Sequence, residues 1–150
     1  MRIGAQHVPI QRWNRALCGV VDEELLQTFW TFYRSLDDAE RAASPEVQKL
    51  GWASEMVGAT MRRGGSVATE MLVALADSAP DDDAVIYIGC GPMEDLMFEH
   101  GDDAVDVLEE AARRHPKLRH ALAVAVPPRE MSEESRARLQ RYREERDSTQ

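Results

Sequence analysis

The side chains able to do chemistry concentrate between positions 90 and 120. Glu94, Asp95, Glu99 and His100 fall within seven residues, and Glu109 and Arg119 follow. Carboxylates, an imidazole and a guanidinium brought together could form a polar pocket or a partner-recognition patch. The same residues also suit helix caps and interhelix ion pairs, and that is the plainer expectation. His7, His100, His115 and His120 are the only histidines. There is no Glu-x-x-His pair, as a di-iron carboxylate bundle would need, and no His-Glu-x-x-His zinc helix. No metal site and no catalytic set are therefore expected. Cys90 stands just before Pro92, where a helix start could lower its pKa. No base can be assigned beside it, so a buried structural thiol is expected.

The stretch "VIYIGCGPMEDL" poses a sharper question. An apolar run followed by Gly89 and Gly91 is similar to the cofactor loop of S-adenosylmethionine-dependent methyltransferases, in which a strand feeds a Gly-x-Gly-x-Gly turn. Tyr87 stands where that family places an acid, and Met93 replaces its third glycine, where a side chain crowds the loop. The remaining 60 or so residues lack the apolar runs that a seven-stranded sheet needs. A lone Gly-x-Gly is weak by itself. The alternative is a helix junction: Gly89 ends one helix, Gly91 relaxes the link and Pro92 opens the next, with Glu94 and Asp95 in its first turn.

The elements that must position these residues read as helices. No segment keeps a strict apolar–polar alternation. Asp22 can cap a helix carrying Leu25, Leu26, Phe29, Phe32, Tyr33 and Leu36 on one broad face. Trp30 lies beside that face, as core or as an anchor for a protein contact. Ser44-Pro45 starts a helix expected to run to about Arg63, stopped by Gly64-Gly65. A more buried helix over 66–79 follows. Shorter ones cover 81–89, 92–101, 102–115 and 116–126, closed by Pro127-Pro128. Residues 131–147 favour helix but carry few apolar positions beyond Leu139 and Tyr142, so a solvated helix or a disordered tail is expected. The fold class is all-α, an irregular multi-helix bundle or a short HEAT-like superhelix of antiparallel helices. No internal repeat is evident.

Charge divides the 150-residue chain in three. Residues 1–20 hold Arg2, Arg12 and Arg15 without an acid, a basic arm. Residues 21–128, the expected helical domain, hold nine Lys and Arg against 21 Asp and Glu, while 129–150 balance six against six. A net charge of −9 disfavours nucleic-acid and anionic-membrane binding. Cys18 and Cys90 form neither a disulfide framework nor a metal-knuckle spacing. No apolar run near the start approaches the roughly 20 residues of a membrane span. A reduced cytoplasm is the expected location. Sixteen Arg against two Lys hints at a GC-rich genome.

The stretch "YIGCGPMEDLMFEHGDDAVDVLEEAARRHPKLRHALAVAV", residues 87–126, resembles the conserved half of a small bacterial domain family of unknown function. That pattern runs Gly-Pro-Leu-Glu-Asp-Leu-Leu, His-Gly, an acidic-apolar helix, then Asp-Pro-x-Phe-Arg-x-Ala-Leu. Gly91, Pro92, Glu94, Asp95, Leu96, His100, Gly101, Pro116, Arg119, Ala121 and Leu122 match it. Met93, Met97, His115 and Leu118 depart mildly, and Pro127-Pro128 replaces a frequent closing aromatic. The resemblance implies an all-helical intracellular bacterial domain without an assigned reaction.

The expected function is a non-catalytic protein–protein interaction module of accessory, regulatory or toxin-immunity type, with no cofactor. Its candidate binding residues are Glu94, Asp95, Glu99, His100, Glu109, Arg119 and Trp30, and its acidity suits a basic partner. Alternatives are a small-molecule-binding protein or degenerate methyltransferase using Gly89–Asp95, and a self-assembling helical module.

Overall fold

Oxygen-bearing side chains start the helices where the sequence puts them. Asp22, Ser44, Asp81 and Ser132 each accept a hydrogen bond from the backbone N–H three residues on, at 2.8 to 3.3 Å. Such a cap is worth about 1 kcal/mol. Pro45, Pro92 and Pro116 occupy first helical positions, where a missing N–H costs nothing. The computed structural model describes residues 21–149 together with Gln11 and Asn14. The expected basic arm, with His7 and Cys18, otherwise lies outside the described residues.

The described elements are helices throughout: α1 (Glu23–Ser35), α2 (Ala39–Ala42), α3 (Pro45–Gln48), α4 (Gly51–Arg63), α5 (Gly65–Ser78), α6 (Asp82–Cys90), α7 (Pro92–His100), α8 (Asp103–Arg114), α9 (Pro116–Val124) and α10 (Glu133–Ser148). No strand occurs among the described residues, and the fold is an irregular all-α bundle. The short helix α9 is its axis, packed against α6, α8, α10 and α5. Leu118, Ala121, Leu122 and Ala123 give α9 its buried face. A second layer pairs α4 with α7 and α1. Methionines fill much of the space between, with Met56, Met61, Met71, Met93 and Met97 fully buried. Their unbranched side chains adapt to the irregular gaps left by short helices.

Two boundaries differ from the sequence reading, and the tail is more buried than expected. The helix expected over 45–63 breaks at Lys49-Leu50, where the Leu50 N–H donates to Val47 and the Ala53 N–H to Leu50 in tight turns. Gly51 follows the break directly and opens α4. Glycine is a poor helix former, so the break agrees with local propensity. Helix α6 continues through Gly89 to Cys90. Residues 133–148 form one helix, and Met131, Leu139 and Tyr142 enter the core. The Gly64-Gly65 stop falls where expected, with φ of 72° and 66°, values that favour glycine. No described helix is long and apolar enough to cross a membrane.

Candidate functional site

The residues singled out in the sequence do not converge on one pocket. Helix α7 carries four of them, and two turn inward to brace neighbours. The Glu94 carboxylate accepts from the Val126 N–H at 2.9 Å and fixes the chain leaving α9. His100 Nε2 lies 2.9 Å from the Met61 carbonyl, near the end of α4. A Cβ on Gly64 would stand 2.5 Å from that imidazole, so the glycine makes room for the ring. Asp95 and Glu99 face outward on the same helix. Partial burial raises the Asp95 pKa and Glu99 adds to this, while Arg62 opposes it.

Glu109 and Arg119 hold α10 to the body. The Glu109 side chain is only 6% exposed and accepts from Arg138 through both Nε and Nη2, with Arg141 at 3.7 Å. Arg138 also reaches Asp106 at 2.6 Å. These hydrogen bonds, the one to Glu109 foremost, raise the guanidinium pKa above its already high range. Arg119 pairs with Glu145 and lies 5.1 Å from the centre of the Tyr142 ring, a cation–π distance. Glu109 and Arg119 border a common cavity of about 190 Å³, which Arg113, Arg141, Tyr142 and Glu145 also line.

Trp30 is 6% exposed. Its indole N–H donates to Ser78 Oγ at 3.0 Å, and its ring meets Phe29 and Tyr33 edge-on. It therefore ties α1 to the end of α5 from inside, where a partner has no access.

The Gly-Cys-Gly-Pro stretch is a helix junction. A strand feeding a cofactor loop, as the methyltransferase reading requires, is not what these residues form. Gly89 lies within α6, and a Cβ there would stand 2.2 Å from the Ala121 carbonyl oxygen of α9. The glycine serves a helix–helix crossing that leaves no room for a ligand beside it. Cys90 corrects two expectations. It is exposed, and its pKa is raised, by desolvation first and by the Glu94 carboxylate second. It closes α6 rather than opening α7, and the negative end of a helix disfavours thiolate. Among the described residues no group of three or more His, Cys, Asp or Glu could hold a metal ion.

A larger concave surface than this lies elsewhere, between α5 and α8, in a groove of about 620 Å³. Val73 and Ala74 of α5 and Val107 and Ala111 of α8 form its floor. Thr69 also lines it, but its hydroxyl donates to the Gly65 carbonyl of its own helix at 3.1 Å. Charge sits at the rim. Glu70 and Asp77 edge the α5 side, Asp106 and Glu110 the α8 side, and Arg114 and His115 one end. Asp106 is engaged by Arg138, and Glu110 by Arg113 and Arg114. Glu70 and Asp77 form no ion pair among the described residues. One signal in the sequence could have pointed here and was missed. Val107 falls outside the apolar stripe of Val105, Leu108 and Ala112, an apolar side chain on a helix face that the core does not claim.

A family model described as a family of unknown function, DUF6869, matches residues 40–147. The chain belongs to that family. The match encloses the 87–126 stretch and extends from α2 through nearly all of α10, so the DUF6869 unit includes both walls of the groove. No curated protein and no solved structure matches the chain.

Proposed function

We propose that the chain is a non-catalytic interaction module that receives a protein partner in the α5/α8 groove. The observation that supports this most is the division of chemistry within the groove, with an apolar floor and charges confined to the rim. A small-molecule site usually adds a few convergent polar groups to its apolar lining. Here the Thr69 hydroxyl is spent on its own helix and Ser66 supplies the only other hydroxyl of the lining, at one end of the α5 wall, whereas protein interfaces take an apolar centre and a polar rim. The charged residues that could have made an active centre are largely engaged as braces between helices. We place the module in a bacterial cytoplasm, on the Arg-rich composition and the exposed free thiol of Cys90.

The test compares the tagged full-length chain with its Val107→Arg variant after isolation from the host. Val107 is only partly buried, so the variant should fold, as circular dichroism and an unchanged melting temperature would show. One stoichiometric protein present with the unaltered chain and absent from the variant is the expected result. The same protein retained by the folded variant would overturn the groove as its site.

A second reading has one observation in its favour. The groove volume lies in the range of about 300–1,000 Å³ typical of small-molecule sites. Native mass spectrometry of the isolated chain would show a bound compound directly.

A further inference from the structure

The groove also carries information about the shape and charge of what fills it. Both walls are α-helices whose backbone groups are bonded within each helix, so an extended peptide would find no row of N–H and C=O groups to pair with. An amphipathic helix satisfies its own backbone and offers side chains at i, i+3, i+4 and i+7, the arrangement that fits a channel between two helices. The walls run from Ser66 to Asp77 on α5 and from Asp106 on α8 to His115 just past its end. At about 1.5 Å per residue each presents some three turns.

The rim fixes the charge. On the α8 side the acids are already neutralised by Arg113, Arg114 and Arg138. On the α5 side Glu70 and Asp77 are exposed and form no ion pair among the described residues. Seven positions apart on one helix, they share a face about two turns long.

Resting on the reading of the groove as the partner site, we propose that its occupant is an amphipathic helix of about three turns. Its apolar stripe packs on Val73, Ala74, Val107 and Ala111, and two Lys or Arg side chains about seven residues apart face Glu70 and Asp77. The complementarity is one-sided. The flank facing α8 needs no excess of positive charge, because the acids there have their own cations.

A charge-swap experiment on the full chain tests this. The probe is a labelled helical peptide of about fifteen residues, with leucines at i, i+3, i+4 and i+7 and two lysines seven apart on one flank. A second peptide carries glutamates at the two lysine positions, and binding is read by fluorescence anisotropy. The lysine peptide should bind the unaltered chain and lose about tenfold in affinity on Glu70→Lys/Asp77→Lys, with two exposed pairs removed and repulsion added. The glutamate peptide should prefer the double variant over the unaltered chain. Val107→Arg should abolish binding of both.

No binding by either peptide, or affinity indifferent to the charge reversal or to Val107→Arg, overturns the proposal. If the peptides fail while Val107→Arg still strips a protein from the host-isolated complex, the groove stands as the partner site and the basic helix falls. If both fail, the groove itself is the wrong surface.

Discussion

Gly89 of α6 and the Ala121 carbonyl of α9 meet with no space for a side chain between them. A Cβ added at Gly89 would lie 2.2 Å from that oxygen and 2.6 Å from the Val124 side chain. The crossing lets α9, the axis of the bundle, draw α6 close enough to bury Ile88 and Val85. Gly89→Ala must push the two backbones apart or strain them, at a cost of about 2–3 kcal/mol. Denaturant unfolding of the full chain measures this, and an unchanged midpoint would contradict the account of the junction.

The pair Glu109 and Arg138 makes a second prediction. Arg138→Met leaves the buried Glu109 carboxylate with Arg141 alone, at 3.7 Å. The expected loss is about 2–3 kcal/mol, toward the low end for a broken buried pair because the Arg138 side chain is 29% exposed. Replacing both, as Glu109→Leu/Arg138→Met, should recover most of it. A double-mutant cycle in which the two losses simply add would contradict the pairing.

Much of this architecture can be read from the residues alone. Asp22 and Ser44 cap their helices, Pro92 and Pro116 start theirs, and Gly64-Gly65 divides α4 from α5, because caps and breakers act through local geometry. The break at Lys49-Leu50 is marked by Gly51 alone, which opens α4 and is a weaker breaker than proline. Burial of Tyr142 and Leu139 is hidden, since two apolar positions in a charged helix gain meaning only once α9 lies beneath them. The candidate site was less legible than the fold. Glu94, His100, Glu109 and Arg119 were recognisable as polar residues with a task, but a sequence does not say that their partners are Val126, Met61, Arg138 and Glu145. The groove hid for another reason. Helix α5 is so apolar that its groove-facing Val73 and Ala74 cannot be told from its core-facing Leu72 and Leu75.

Two carboxylates should shift stability with pH in opposite senses. The Asp95 pKa is raised above the ordinary 3.8, chiefly by desolvation. As pH climbs past that value, the unfolded chain ionises first and the fold loses stability until the folded pKa is passed. Asp95→Asn should therefore raise the thermal midpoint at neutral pH, and the gain should vanish near pH 3. The Asp102 pKa is lowered, first by the Ser132 N–H, which donates to it at 3.0 Å. Its contribution is complete above the ordinary value and disappears as pH falls through the lowered one. Asp102→Ala should lower the midpoint at neutral pH and lose that effect in strong acid. Melting curves of both variants from pH 3 to pH 7 check the signs, and two parallel profiles would contradict them.

The central claim is that a protein partner sits between α5 and α8. The most direct measurement places a photoreactive amino acid at Val107, and separately at the exposed Gln140 of α10, in the full chain expressed in its host. Illumination should link Val107 to one discrete protein and leave Gln140 unlinked. Linkage at Gln140 with none at Val107 would place the partner on another face and contradict the account.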